Sequence, residues 1–258
     1  MRLSLLLIDL SAPAASRASN IRVSPKPLIL VAGLWSAPSS FDTYQNILTL
    51  SHSYGWKAEV FTRKARPKGS PASVYDNADD LTEFIKKAQK RDNAWHVDMV
   101  AHSTGGLIGR LYIHKQMETL PDKRPVVKHF IMLGTPNLGI PCADSMKYND
   151  AFDAYARTAQ ELMPEEMATF NKFVKERKGT RFSSIVGTGS QMLCASWEPS
   201  DGFTSVDSAR AFVSDIEYLP QMSPDLVDTK NFEFIKKRVV TGPFDTYPLF
   251  PGVLIPQQ

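Results

Sequence analysis

The segment 95–110 constrains the fold of this 258-residue chain more than any other part of the sequence. The largely apolar run 96–101 predicts a buried strand that breaks at Ser103, and Gly105 and Gly106 precede a stretch that predicts a helix. A serine between a strand and a helix stands on a sharp turn that exposes its hydroxyl. The helix N-terminus beneath it favours developing negative charge. Ser103 is therefore the candidate nucleophile.

Length and composition indicate a globular protein with one substantial α/β domain. A chain of 258 residues can bury a full core, and its 43% hydrophobic and 22% charged residues are ordinary for this class. A formal net charge of +3 is too small to indicate nucleic acid as a partner. No apolar run approaches the ~18 residues that cross a bilayer, which leaves at most transient contact with a lipid surface. The scattered histidines and two cysteines show no metal-ligand spacing.

The N-terminus and the cysteines each allow two interpretations. Arg2, the apolar run 3–8 and the small residues at 12–15 outline a secretory signal, whereas 3–10 would serve equally as a first strand. Cys142 and Cys194 allow a disulfide if the protein is exported, or two unrelated thiols. These features together favour export over retention in the cell.

Strands and helices alternate along the chain, which predicts a mostly parallel sheet with helices on both faces. Two amphipathic helices, 152–163 and 164–178, interrupt this alternation and indicate a helical cap insertion at about 138–180. The predicted domain covers 27–240, between an N-terminal segment 1–26 and a Pro-rich tail 241–258. Strands are predicted at 28–32, 58–62, 96–101, 126–133 and 182–186, and further helices at 41–50, around 81–88 and at 232–239.

Three segments resemble those of bacterial triacylglycerol lipases and related α/β-hydrolases. AHSTGG at 101–106 resembles the nucleophile elbow, and LGTPNLG at 133–139 resembles the segment that follows the next strand. DGFTSVDSAR at 201–210 resembles the stretch that carries the triad acid. The matches occur in the family's order and span roughly residues 27–240. The resemblance implies an α/β-hydrolase fold. The helical insertion follows a strand at the end of the sheet where ligands bind, so we expect it to form a lid over the site.

The resemblance also implies an oxyanion hole and an acid. The hole combines the backbone N–H of Thr104, the residue after the nucleophile, with that of Leu34 in the loop after the first central strand. Family members often have histidine where this chain has Ala32, but backbone donors do not depend on that side chain. Asp201 matches the position of the acid. Weaker candidates for the acid are Asp207 and Asp215.

A base that would activate the serine is not evident. In this fold the triad runs serine, acid, histidine, with the histidine in a loop after the last strand. The corresponding stretch is 219–227, and the resemblance puts the histidine at or beside Pro224, where proline has no polar side-chain atom and Ser223 is a poor base. Every histidine precedes the acid and is interpreted as structural or exposed, His52 being the least excluded as a base: they are His52, His96, His102, His114 and His129.

Two functions follow from these residues. The first is a lipase- or esterase-like serine hydrolase of carboxylic esters, lipid or acyl esters in view of the helical insertion, with no cofactor. The second is a catalytically impaired α/β-hydrolase-like protein that binds an acyl ligand or a protein partner. Without a base, binding and oxyanion stabilisation still leave about 10³–10⁴-fold acceleration over water. A histidine-to-proline substitution at Pro224, which a single base change produces, is a third explanation.

Overall fold

A computed structural model describes residues 26–33, 41–42, 57–62, 73–119, 123–143, 156–192, 198–228 and 231–238. Several sequence predictions fall outside these ranges. They are the N-terminal segment 1–25, Leu34, most of the helix at 41–50, His52, Cys194 and the tail from 239 onward.

Six parallel strands form the central sheet, in the order β2 (Lys57–Phe61), β1 (Pro27–Val31), β3 (Val97–His102), β4 (Val127–Leu133), β5 (Arg181–Gly187) and β8 (Asp215–Leu219). The five strands predicted from apolar runs are confirmed, each end lying within one residue of its expected position. β8 was not predicted, because as an edge strand it is only partly covered and lacks a continuous apolar run. Two further strands, β6 (Ser190–Gln191) and β7 (Pro199–Ser200), form a separate short antiparallel pair.

Helices cover both faces of this sheet. The longest begins with a capping box, in which Ser73 Oγ accepts from the N–H of Asp76 at 2.9 Å, and ends at Asn93 in the left-handed region. The helices are α1 (Val74–Asp92), α2 (Gly105–Leu111) with a π-helical continuation (Tyr112–Gln116), α3 (Ala156–Glu161), α4 (Pro164–Phe173), α5 (Val206–Arg210) and α6 (Phe232–Arg238), with a 3-10 turn at Ser223–Val227. None of the described helices is long and apolar enough to span a membrane.

The core lies in two layers, one on each side of the sheet. Side chains alternate along β1, so that Ile29 and Val31 pack with α1 and α2 while Leu28 and Leu30 pack toward α6. Because both faces are covered, β1, β3 and β4 are buried at every position. The rigid sheet therefore holds the loops at its carboxyl-terminal end in a defined arrangement.

The prediction of one long helix over 164–178 is wrong, because α4 ends at Phe173. The carbonyl of Val174 is used by the guanidinium of Arg110, which donates to it from Nη2 at 3.4 Å, and Val174 leaves helical geometry. The chain then turns through Gly179, whose φ is +85°, into β5. Of the two cysteines, Cys142 is disulfide-bonded, and Cys194 lies outside the described residues.

Candidate active site

Ser103 occupies the turn between β3 and α2, with the backbone of a sharp elbow. Its φ is +53°, in the left-handed region that non-glycine residues rarely adopt. Its N–H donates to the carbonyl of Leu133, at the end of β4, at 2.8 Å. The serine is only partly buried, whereas His102 before it and Thr104 after it are buried. The turn therefore leaves Ser103 partly exposed between two buried residues.

Glycines let three segments approach this turn closely. A Cβ on Gly33 would lie 2.7 Å from Ser103 Cβ and 3.3 Å from Ser103 Oγ, so the start of the loop after β1 borders the hydroxyl. Gly105 packs against the carbonyl of Val31, and Gly106 packs against the side chain of Thr135. These contacts leave no room for a side chain at either helix position. They account for the two glycines that a helix-capping serine alone would not require.

Thr104 is fully buried at the start of α2. Because it precedes the first turn of the helix, its N–H has no intrahelical acceptor. This N–H is the first of the two oxyanion donors expected from the sequence. The second expected donor, Leu34, lies outside the described residues, one residue beyond Gly33.

Asp201 is buried in a tight turn after β7. Its Oδ1 accepts the N–H groups of Phe203 at 2.9 Å and Thr204 at 2.7 Å. Its Oδ2 lies against Gly134 and has no hydrogen-bond partner within the described ranges. One carboxylate oxygen is thus held by the backbone and the other is left for a further group.

Ionisation of the Asp201 carboxyl is unfavourable in this buried environment. Burial raises the pKa of its carboxyl above the ordinary value, and the N–H groups of Thr204 and Phe203 offset this only in part. Ser223 also favours the ionised form, although its hydroxyl lies outside hydrogen-bonding geometry with the carboxylate. A buried acid with a raised pKa and an open oxygen is typical of a functional site.

Asp201 lies beside the strand end that carries Ser103. The hydroxyl of Thr204 donates to the carbonyl of Gly134 at 3.1 Å, and Gly134 follows directly after the Leu133 carbonyl that binds Ser103. The other two acid candidates are elsewhere: exposed Asp207 pairs with Arg210, and Asp215 begins β8 at the opposite end of the sheet, where it binds Arg238.

His102 is tied to the segment in which the family's histidine was expected. Its Nε2 lies 3.0 Å from the carbonyl oxygen of Ser223 and 3.1 Å from its Oγ, and the N–H of Ser223 donates to the carbonyl of Asp201 at 2.8 Å. Burial lowers the pKa of His102 to about 4, so its ring is neutral at pH 7. Sequence reasoning missed this link, because the two residues are 121 positions apart.

The other described histidines are far from Ser103 in the fold. His96 and His129 lie near the amino-terminal ends of β3 and β4, where their Nδ1 atoms contact the carbonyl of Pro125 and the carboxylate of Asp98. His114 follows α2 and accepts the N–H of Glu176. No histidine in the described part of the chain therefore stands between Asp201 and Ser103. The same ranges hold no cluster of three or more potential metal ligands.

The sheet, the elbow and the acid-bearing turn define the class of protein, which is an α/β-hydrolase fold. The mature lipase BlEst2 of Bacillus licheniformis has a TM-score of 0.63 at 16% identity, over 82% of this chain and 90% of that one. The metagenomic carboxyl esterase MGS0156 gives 0.57 at 14% identity, over 85% and 72% of the two chains. The lin2722 gene product of Listeria innocua gives 0.55 at 16% identity, over 86% and 96%. At such identities the likeness shows the fold alone.

The family is identified by sequence. The model described as "Domain of unknown function (DUF7379)" matches residues 22–235, and the chain belongs to this family. No curated protein sequence matches the chain.

Proposed function

We propose that this protein hydrolyses carboxylic esters, with Ser103 as its nucleophile. The observation that carries the proposal is the left-handed backbone of Ser103 between β3 and α2, next to Gly33. Strain of this kind is retained where it aims a side chain. The hydroxyl attacks the ester carbonyl, and the resulting oxyanion is held by the N–H groups of Thr104 and Leu34. An acyl-enzyme forms as the alcohol leaves, and water releases the acid.

Asp201 is proposed as the acid that orients the group accepting the proton of Ser103. Its open Oδ2 is the atom that would accept a hydrogen bond from a base or an ordered water. With Ser223 and Pro224 in the expected histidine segment, proton removal from Ser103 is inefficient, and slow turnover follows. The proposed substrates are acyl or lipid esters, in keeping with the lipase and carboxyl esterase of the same fold. Helices α3 and α4, between β4 and β5, belong to the proposed cap at 138–180.

A second candidate function is favoured by the same acid. Because Asp201 Oδ2 has no partner among the described residues and His102 is engaged by Ser223, the site suits a protein that binds an acyl ligand without turning it over. A bound acyl carbonyl would still meet the N–H of Thr104. This candidate differs from the first only in the reactivity of Ser103.

Labelling by a fluorophosphonate probe distinguishes the two candidates. Phosphonylation of Ser103 found by peptide mass spectrometry, together with slow release of p-nitrophenol from p-nitrophenyl butyrate, supports the hydrolase. Both signals should disappear in Ser103→Ala and persist in Ser214→Ala, which changes an exposed serine before β8. An unlabelled wild-type protein that binds the ester would favour the second candidate. Turnover that survives in Ser103→Ala would reject the proposed nucleophile.

A further inference from the structure

A pocket of about 240 Å³ lies between α2, the segment after α4 and the turn that precedes β8. Much of its wall is apolar, formed by Met132, Val174, Phe182, Phe212 and Val213. Arg110, in the last turn of α2, belongs to the wall and is only 6% exposed. It lies seven residues after Ser103, about 10 Å along the helix at its usual rise. The pocket is therefore separate from the elbow.

Arg110 carries a buried charge with only neutral partners. Its Nη1 donates to Asn137 Oδ1 at 2.9 Å, and its Nη2 donates to Asn171 Oδ1 at 2.8 Å and to the carbonyl of Val174 at 3.4 Å. Its guanidinium also lies 5.2 Å from the ring centroid of Phe212. No carboxylate pairs with it among the residues that the structure describes. Buried charges ordinarily have a counter-ion, since desolvation without one is unfavourable.

A second guanidinium makes this environment more positive. Arg177 also lines the pocket, is held by the carbonyl of Phe212, and lies 4.9 Å from the ring centroid of Phe182. Burial and the like charge of Arg177 together lower the pKa of Arg110 to about 10. Lys175 adds a third cation to the lining, against the single carboxylate of Glu176. The pocket thus combines apolar walls with an excess of positive charge.

Phe212 lines the pocket in a strained conformation. Its φ is +66°, which is a true outlier for a bulky side chain, and the ring is 52% exposed, so its own burial does not compensate. Strained residues of this kind cluster at ligand clamps. Here the strain places the ring over Arg110 and the carbonyl on Arg177. Phe212 thus contacts two of the three cations of the pocket, Arg110 and Arg177.

We propose that this pocket binds a small organic anion, a carboxylate or a phosphate monoester with an apolar body, whose charge is met by Arg110 and Arg177. The apolar body would pack against Phe182, Val213 and the ring of Phe212. The binding does not depend on the reactivity of Ser103. Anion binding can therefore be tested independently of the proposed ester hydrolysis.

The test is calorimetric titration of the Ser103→Ala protein with benzoate, phenyl phosphate and neutral benzamide. We expect benzoate or phenyl phosphate to bind and to raise the melting temperature, and benzamide to do neither. Binding of phenyl phosphate alone would identify the phosphate ester as the ligand class, and binding of benzoate alone the carboxylate. Equal binding of benzamide, or no binding of either anion at millimolar concentration, would overturn the proposal.

Two variants locate the binding at this pocket. Arg177→Gln removes an exposed cation and should weaken anion binding about tenfold or more, because charge-assisted hydrogen bonds are stronger than neutral ones. Val213→Trp fills the pocket and should abolish binding. Arg181→Gln is the matched control, because Arg181 is an exposed arginine that does not line this pocket. The affinity of this variant for the anions should equal that of the parent protein. Unchanged affinity in both Arg177→Gln and Val213→Trp would contradict the assignment.

Discussion

Asp98 and Asp201 are both buried, near opposite ends of the same sheet, but their carboxylates have different partners. Asp98, near the amino-terminal end of β3, has Lys26 Nζ at 2.8 Å and His129 Nδ1 at 2.8 Å. Burial alone would raise its pKa, but the hydrogen bond from His129 and the charge of Lys26 outweigh burial and lower it. The pKa of Asp201 is raised, because only backbone N–H groups and the nearby Ser223 oppose its burial.

The difference separates a structural ion cluster from a site left open. Near the amino-terminal end of the sheet, each oxygen of Asp98 has a cationic or N–H partner. At the carboxyl-terminal end, Oδ2 of Asp201 has no such partner among the described residues. Proteins depart from full pairing of buried polar groups mainly at functional sites. Supplying or removing partners at the two aspartates is therefore the direct way to test this contrast.

The largest effect is expected from giving Asp201 the imidazole that Asp98 already has. Ser223→His and Pro224→His each place a histidine in the segment beside Asp201. A positioned general base contributes about 10²–10⁴-fold, so we expect p-nitrophenyl butyrate hydrolysis to rise by that factor in one of them. The gain must vanish when Ser103→Ala is added. Wild-type turnover of several per second would show that the base is already present.

The second prediction compares the two acids by amide substitution. Asp98→Asn leaves the buried ammonium of Lys26 without a counter-ion and should lower the free energy of unfolding by about 3–5 kcal/mol at pH 7. Asp201→Asn removes a charge that burial already disfavours, so its effect should stay within about 1 kcal/mol of zero. Urea unfolding followed by circular dichroism measures both. Equal losses would remove the distinction between the two ends.

The pH dependence of the same variants should have opposite signs. Asp98 has a lowered pKa, so its stabilisation is present above the ordinary value of 3.8 and is lost as the pH falls through the folded-state value. Asp201 has a raised pKa, so its ionisation destabilises the fold as the pH rises from 3.8 through the folded-state value. Relative to wild type, Asp98→Asn should flatten the acid limb of the stability profile. Asp201→Asn should steepen it.

The third prediction concerns His102, which links the acid segment to the elbow. Folding lowers the pKa of His102 from 6.5 to about 4, so the stability that depends on its neutral ring is fully present only above pH 6.5. Acidification from 6.5 to 4 should remove about 3 kcal/mol through this group. In His102→Gln the free energy of unfolding should decline less over that window. A parallel decline in wild type and variant would mean that folding does not lower the pKa of His102.

The smallest effect is expected from backbone strain at Phe212, which, like Ser103, is a non-glycine residue with a left-handed φ. Phe212→Gly and Phe212→Ala remove the same ring, but only glycine relieves the left-handed φ of +66°. The glycine variant should exceed the alanine variant by about 1 kcal/mol in the free energy of unfolding. Val213→Gly and Val213→Ala, which lie next to Phe212, form the control pair and should show the reverse order. An alanine variant as stable as the glycine variant would exclude strain at this position.

The strands and the elbow were predictable because their signals are local. A five-residue apolar run such as 28–32 reports burial on both faces, and the glycines after Ser103 report a tight strand–helix turn. The end of α4 and the edge strand β8 were not predictable. The first coincides with a hydrogen bond from the distant Arg110 to the carbonyl of Val174, and the second depends on a neighbouring strand rather than on its own apolar pattern.

The sequence by itself determined the alternation of strands and helices, the serine turn, and the absence of any histidine after Asp201. Each of these is carried by neighbouring residues or by their order along the chain. Only the tertiary structure decided that Ser223 joins His102 to Asp201, that Lys26 and His129 meet on Asp98, and that Phe212 is strained over a buried arginine. Such contacts depend on sheet register and on how distant loops fold back over the strand ends, which no local pattern encodes.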